Sequence, residues 1–215
     1  MTAKKIAVSI EAAQKKAFAT AIDWPGWSRS GKTEELAIEA LATYADRYAP
    51  VAKLAGEPFP KTDGLDLEVV ERQGGGSGTE FGVPSNVTDQ DRRRVAAKDA
   101  DRLARLVEAA WQTFEQVAAA APEELLKGPR GGGRDTSKMV GHVVEADEAY
   151  AREMGIKLRA PIGEVRAAML EVLRQRSDGS PIADRKWTPR YAAHRIAWHA
   201  LDHAWEIEDR TEPAE

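Results

Sequence analysis

Three of the four histidines in the chain occupy positions from which they could bind one metal ion. His199 and His203 are four residues apart in the segment WHALDH. In a helix, this spacing places the second side chain one turn along and about 40° around the axis from the first, so both imidazoles could share a divalent cation. The chain contains no cysteine, which excludes thiolate ligands, thiolate nucleophiles and disulfides. Any metal site must therefore use histidine, aspartate or glutamate.

A third histidine, His142, belongs to a different predicted helix and is also expected to point inward. The apolar residues that share helix faces with the three histidines are Met139, Ala146, Ala149, Tyr150, Ala192, Ile196 and Ile207. Burying imidazoles without partners costs free energy, and a shared cation would satisfy one nitrogen of each ring while leaving coordination positions open for water or substrate. The alternative is that they are hydrogen-bonded core residues. His194 lies about 140° from His199 around the helix and is predicted to be a surface or packing residue.

Two acidic residues near the histidine pair are candidate catalytic groups. Glu206 projects only about 20° from His199, so it could be a further ligand, a general base or a solvated residue near the helix end. Asp202 directly precedes His203. Either carboxylate could orient a histidine or relay a proton. The sequence leaves these alternatives open.

The loop GPRGGGRD, which precedes the helix of His142, is a candidate anion-binding site. It places Arg130 and Arg134 on either side of consecutive glycines, beside a helix N-terminus whose N–H groups and dipole favour negative charge. A carboxylate substrate or an anionic thiol could bind there. The loop matches neither the dinucleotide-binding nor the phosphate-binding glycine motif. The alternative is a flexible loop with two solvated arginines.

The chain after Thr88 has the periodicity of four helices. Apolar residues between Leu103 and Val117 recur at the i, i+3, i+4 and i+7 positions of an amphipathic helix, which Pro122 ends. Four helices in about 125 residues predict a four-helix bundle. The other three are predicted from Asp135 or Thr136 to about Met154, from Pro161 onward, and from about Pro189 to Asp209.

The first part of the chain alternates between strands and one helix. Apolar residues alternate over residues 5–10 and 18–22, and DLEVVERQ has the same character. Thr33 with Glu34 and Glu35 forms a helix start between them. The GGGSG turn precedes TEFGV, predicted to be a further strand. The order over residues 1–85 is therefore β-β-α-β-β, and the fold class of the whole chain is α+β.

The segments HVVEADEAYAREMG and HALDH resemble the DinB/YfiT-like superfamily over about residues 88–210. The resemblance implies a four-helix bundle over residues 86–215 that holds a divalent metal through one histidine of its second helix and an HxxxH pair of its fourth. Carried over residue by residue, it makes His142, His199 and His203 the metal ligands. Members of this superfamily include thiol-dependent transferases, an isomerase acting with mycothiol and hydrolase-like proteins. The ending HAWEIEDR departs from the HHRGQ-type ending of many members.

The PGW turn followed by SRSGKTEELAIEAL resembles the HicB-type fold over about residues 5–55. Members of that family carry a PGC-like turn and a GxTxEEA helix start, and they act as antitoxins that pair with a toxin and often have a DNA-binding tail. Here Trp27 replaces the cysteine of the turn. The module is expected to cover the open end of the bundle or to build a homodimer.

Composition limits the partners that are expected. The 215 residues carry a net charge of −4, so the chain lacks the basic surface of a general nucleic-acid binder. Charged residues make up 31% and hydrophobic residues 42%, which argues against a membrane span and against disorder. The first residues have no long apolar stretch of the secretory type, so a cytoplasmic location is expected.

The sequence therefore favours a divalent-metal-dependent enzyme that acts on a small-molecule substrate, with an anionic one indicated by Arg130 and Arg134. The metal would activate water or a low-molecular-weight thiol cosubstrate, as in a hydrolase or a thiol-dependent transferase or isomerase. Imidazole ligands suit zinc, nickel and iron alike. The competing hypothesis is a non-enzymatic binding or regulatory protein with a HicB-like interaction surface.

Overall fold

The computed structural model describes residues 5–128, 133 and 135–211. A four-stranded mixed sheet lies in the N-terminal part and helices follow it, which confirms the α+β class. The strands are β1 (Ile6–Ala12), β2 (Ala17–Ala21), β3 (Ser28–Gly31) and β4 (Leu67–Gly74). The helices of at least five residues are α1 (Glu34–Thr43), α2 (Ala45–Leu54), α3 (Ser77–Phe81), α4 (Ala97–Ala120), α5 (Thr136–Glu153), α6 (Ile162–Leu173) and α7 (Pro189–Arg210).

The sheet has the strand order β3-β2-β1-β4. β2 pairs antiparallel with both β1 and β3, whereas β1 and β4 run parallel, so α1 and α2 lie within the crossover between them. The apolar residues Ile6, Val8 and Ile10 of β1 are buried in the core. The three strands predicted at residues 5–10, 18–22 and 66–73 are confirmed. β3 is a strand that the sequence does not predict, because SRSG has no apolar alternation.

The strand predicted at TEFGV is wrong, since this segment contains the end of helix α3. The hydroxyl of Thr79 accepts a hydrogen bond from the Gly76 N–H at 2.9 Å and donates one to the buried carboxylate of Glu11. Gly82 ends the helix in a left-handed conformation with φ of +109°. The helix therefore brings a hydroxyl to a buried charge on β1 that needs a donor.

The one helix predicted in this region is two helices, which meet at Tyr44. Thr33 caps α1 as expected, its side chain accepting a hydrogen bond from the Leu36 N–H at 3.3 Å. In α2, Pro50 has no N–H and so cannot donate a hydrogen bond to a carbonyl of the preceding turn. The change of direction allows the Tyr48 hydroxyl to donate to the Pro25 carbonyl at 2.8 Å.

The four long helices contact one another in a closed ring, in which α4 and α5 each pack against both α6 and α7. Arg166 joins three of them through a buried ion pair with Asp147 and a more exposed one with Glu115. Arg166 on α6 donates to Asp147 on α5 at 2.8 Å and to Glu115 on α4 at 2.6 Å. Burial raises the pKa of Asp147 to about 6 although Arg166 lowers it. All four helices predicted from the sequence are thus present.

The turn DWPGW packs against α1 and α2, and its Gly26 lies close to α7. Trp27 is fully buried, stacks on Tyr48 with ring centroids 5.6 Å apart, and donates to the Leu41 carbonyl at 2.9 Å. Buried apolar residues form one continuous core that extends through the sheet and the helices. The predicted boundary between residues 85 and 86 stays a prediction, but the two regions share this core.

We expect Gly26→Ala to destabilise the protein more than the same substitution does at a left-handed glycine without close neighbours. Gly26 has φ of +92°, and an added Cβ would stand 2.7 Å from Leu201 Cδ1 and 3.0 Å from Ala197 Cβ on α7. The backbone strain and the overlap together should lower the free energy of unfolding by about 2–4 kcal/mol. Denaturant titration measures this loss.

The matched control is Gly64→Ala, at a glycine with φ of +73° and no neighbour within 4 Å of the added Cβ. It should lose only the backbone contribution, about 1–2 kcal/mol. Equal losses in the two variants would contradict the close approach of Gly26 to α7.

Candidate metal centre

The three histidines predicted as ligands lie together between α5 and α7. His142 comes from α5, and His199 and His203 come from successive turns of α7. One ring nitrogen of each lies within 4.8 Å of the others, and the Nε2 atoms of His142 and His199 are 3.3 Å apart. The ring centroids are 4.7 to 5.1 Å apart. The structure thus brings two separate sequence signals to one point.

Local sequence explains why α7 can carry two of these rings. Pro189 occupies the first turn, where its missing N–H is not needed, and the Thr188 side chain accepts a hydrogen bond from the Tyr191 N–H at 3.3 Å. The helix then continues for 22 residues. His199 and His203 therefore keep the spacing of one helical turn and project on the same side.

The burial and spacing of the rings suit a metal site. His199 is 7% exposed, the His203 side chain is 12% exposed, and His142 is partly buried. Two nitrogens bound tetrahedrally at about 2.0–2.1 Å from zinc lie roughly 3.3–3.4 Å apart, close to the separation of the His142 and His199 atoms. The same separation is compatible with a hydrogen bond in which only one nitrogen carries a proton. In both interpretations the two Nε2 atoms face each other.

Glu206 orients His203. The Nδ1 atom of His203 lies 3.1 Å from a carboxylate oxygen of Glu206, to which it can donate only as Nδ1–H. That arrangement leaves Nε2 with its lone pair, as a metal ligand requires. The other oxygen of Glu206 accepts from Arg210 at 3.1 Å. The interaction with His203 is the main cause that holds the pKa of Glu206 below its usual value; Arg210 lowers it further, although burial raises it.

The carboxylate of Asp202 pairs with a residue of the sheet. One of its oxygens accepts a hydrogen bond from Arg29 on β3 at 2.8 Å, and the Arg29 guanidinium lies 3.9 Å from the centre of the Tyr44 ring. Asp202 therefore joins α7 to β3 and α1. Its role as a catalytic group stays a prediction. Arg130 and Arg134, predicted to bind an anion, lie outside the described residues.

The sequence pattern places Tyr150 on the inward face with His142, but it does not identify Arg195 as a neighbour of the site. The rings of Tyr150 and Trp198 lie 5.6 and 6.3 Å from the His199 ring, and Arg195 lies over both aromatic rings. Arg195 precedes His199 by four residues, so the spacing rule that selects His203 also selects Arg195.

His194 is buried and packs against the sheet, as one of the two predicted roles requires. Its Nε2 atom lies 2.8 Å from the Ile22 carbonyl, which can only accept, so Nε2 carries the proton. Its Nδ1 atom is buried without a hydrogen-bond partner among the described residues. Burial lowers the pKa of His194. The ring is therefore neutral at pH 7, with Nδ1 as an acceptor.

Because the pKa of His194 is lower in the folded state, this residue binds a proton near pH 6.5 in the unfolded chain, whereas in the folded chain it stays neutral at that pH. Stability is therefore retained above this pH and falls as pH decreases toward the folded-state pKa, by at most about 1.4 kcal/mol per pH unit. His194→Gln keeps a donor for Ile22 but does not titrate. Denaturant titrations with chelator, from pH 7.5 to 5.0, should show a smaller acid loss in this variant. Parallel profiles would contradict the assignment.

Glu206→Gln should weaken divalent metal binding by about 10–100-fold, because it removes the carboxylate that orients His203. The measurement is a zinc titration by calorimetry with a competing chelator. Glu208→Gln is the matched control, since Glu208 lies on the same helix but pairs with Arg47 at 3.6 Å. An equal loss in both variants would indicate a general effect of negative charge and would contradict the positioning role.

Known proteins give no further guide to the site. Compared with protein-family models, with characterised proteins and with solved structures, the chain gives no significant match. Among the described residues, no helix is both long enough and apolar enough to cross a bilayer. The assignment of a function depends on the residues and geometry of the site itself.

Proposed function

We propose that His142, His199 and His203 bind one divalent metal ion and that the protein is a metal-dependent enzyme of the DinB-like type. The observation that carries the proposal is the convergence of three imidazole nitrogens from two helices within 4.8 Å of one another. Such a cluster is unfavourable in a core without a shared cation or a set of hydrogen bonds. The ligands match the residues that the DinB-like resemblance selects.

The donor set is suited to catalysis because it is incomplete. Three histidines leave at least one coordination position for a small molecule, and a divalent ion in such a site acts as a Lewis acid that lowers the pKa of a coordinated water or thiol. The chain holds the donors in place. Glu206 fixes the His203 ring, and Arg210 fixes Glu206 through its 3.1 Å contact.

The surroundings of the cluster support a reaction on a partly desolvated molecule. Tyr150 is 9% exposed and Trp198 5% exposed, and both rings lie against His199. Apolar walls lower the local dielectric constant, so fixed charges and dipoles act more strongly on a bound molecule. Glu206 is charged at neutral pH and already engaged by His203 and Arg210, so it acts as a positioning residue in this proposal.

Two reaction classes remain within the proposal: hydrolysis, and transfer or isomerisation with a low-molecular-weight thiol. Zinc, nickel and iron all suit three imidazoles. The classes differ in what occupies the open position. Cobalt-substituted protein should develop a sulfur-to-cobalt charge-transfer absorption with N-acetylcysteine if a thiol is the cosubstrate, and should remain unchanged if water is.

The proposal predicts that protein purified without a histidine tag contains about one divalent ion per chain and that His199→Ala loses it. Elemental analysis after gel filtration measures the stoichiometry. His194→Gln is the matched control, because it removes a buried α7 histidine whose Nε2 bonds with Ile22. Metal retained by His199→Ala, or lost equally from both variants, would contradict the three-histidine site and favour a protein without metal chemistry.

A further inference from the structure

Arg195 occupies the boundary between two faces of α7. Counted at about 100° per residue, it projects between the side that bears His199 and His203 and the side that carries Tyr191, His194 and Trp198. The second side lines a cavity against the sheet, to which Arg195 also contributes. Arg195 therefore adjoins the metal centre and this cavity.

The Arg195 guanidinium is held in place by aromatic rings but has no anionic partner in the part of the chain that the structure describes. Its Cζ atom lies 5.4 Å from the centre of the Tyr150 ring and 4.9 Å from that of Trp198. Its Nη1 atom is buried without a hydrogen-bond partner, and Arg195 forms no ion pair with any residue in the described ranges. Aromatic contacts stabilise a guanidinium but do not satisfy its N–H groups. A buried donor left in this way is unfavourable unless a ligand or water accepts from it.

The cavity between α7 and the sheet is small, and polar and charged side chains line it together with apolar surface. It has a volume of about 40 Å³ and is lined by Tyr191, His194 and Arg195, by Ser9 and Thr20 on the strands, and by Asp91. A water needs about 10–15 Å³ of such volume, so the cavity holds about three water-sized groups. That size suits a glycine-like head group and excludes a nucleotide.

The polar groups in the cavity are arranged by charge. Arg195 presents the unpartnered N–H donor, whereas His194 presents Nδ1 as a buried acceptor. Asp91 lines the cavity beside His194 and is close enough for its charge to act on that ring. One oxygen of Asp91 accepts from Thr88, both from its N–H at 2.9 Å and from its hydroxyl at 2.8 Å. The cavity thus combines a cationic donor with a neutral acceptor and a negative charge.

Glu11 is the second carboxylate that lines the cavity. Its oxygens accept hydrogen bonds from the hydroxyl of Thr79, from the N–H and hydroxyl of Ser85, and from the N–H of Asn86. These bonds hold the charge in place on the sheet side. With Asp91, it makes the cavity unfavourable for a simple anion despite Arg195. A ligand with both charges is favoured instead.

We propose that this cavity binds the 2-amino carboxylate group of a small amino acid, with the carboxylate on Arg195 and the ammonium directed to His194 Nδ1 and Asp91. A guanidinium can hold a carboxylate through two parallel N–H bonds. The ammonium supplies the donor that the His194 acceptor lacks. The site does not require the metal, although Arg195 lies one helical turn from His199 and so places the bound carboxylate beside the histidine cluster.

The test uses glycine as the probe, with acetate and methylammonium as fragments that each carry one of its charges. Glycine should bind the wild-type protein at least about tenfold more tightly than either fragment, since each loses one set of charge-assisted bonds. Arg195→Gln should weaken the binding of glycine and of acetate by about tenfold or more. Asp91→Asn should weaken the binding of glycine but not that of acetate. Arg176→Gln, at an exposed arginine after α6, should leave both affinities unchanged.

Titrations followed by calorimetry and by the arginine Nε–H signals in NMR spectra provide the measurement. Wild-type protein that binds acetate as well as glycine, or that binds neither, overturns the proposal. So does Arg195→Gln with unchanged affinity for glycine. If that variant does not fold, Arg195→Lys keeps the positive charge and the aliphatic part of the side chain but lacks the paired N–H groups of the guanidinium. It should bind glycine more weakly than the wild-type protein does.

The same titration of His199→Ala separates this proposal from that of the metal centre. Glycine binding that persists in His199→Ala while metal is lost supports both sites. Glycine binding in a wild-type protein that never takes up metal supports the cavity and contradicts the metal centre. Normal metal binding without any glycine binding contradicts the cavity alone.

Discussion

The structure depends on the burial of α7 on nearly every side. Its small residues let neighbouring backbones approach closely, and those that are at most 1% exposed are Ala192, Ala193, Ala197, Ala200 and Ala204. α4 packs along one side, and the turn around Gly26 approaches another. Since interiors are packed to crystal-like density, such a helix has little freedom to rotate or slide. The positions of its polar side chains are fixed by this packing.

That constraint explains how one helix supplies several kinds of chemistry. Arg195, His199 and His203 follow at intervals of four residues, and Glu206 and Arg210 continue the same side toward the end of the helix. Larger aromatic residues on the other side anchor the helix to the sheet region: Trp198 contacts Phe18 edge-on with ring centroids 6.0 Å apart. Because the aromatic side anchors α7, the polar residues of the site project from a helix that is held rigidly in place.

The sequence predicts the features that depend on periodicity. The amphipathic helices, the first two strands and the convergence of His142 with His199 follow from which residues share a face. β3 has no such signal, because it is a four-residue edge strand that pairs with β2 alone. The turn at α3 depends on a hydrogen bond between Thr79 and Glu11, which are 68 residues apart. Local propensity cannot encode a contact of that range.

In the site, too, some features follow from local spacing, whereas others depend on contacts between residues far apart in the sequence. The spacing of four residues identifies His203 and, applied in the other direction, would have identified Arg195. The pairing of Asp202 with Arg29 spans 173 residues and depends on how the sheet packs on α7. The choice of Glu206 as the partner of His203 follows from rotamers, since both acids lie within one turn of that histidine.

The central position of α7 has a consequence for how the chain folds during synthesis. α7 begins at Pro189, so the ribosome makes the sheet, α4 and α5 before the helix that packs against them. Phe18 is 2% exposed in the folded protein and packs edge-on against Trp198 of α7, so it lacks this cover until then. The nascent chain therefore exposes the apolar surface that α7 later covers, and chaperones, or premature contacts between neighbouring chains, compete for that surface until α7 is made.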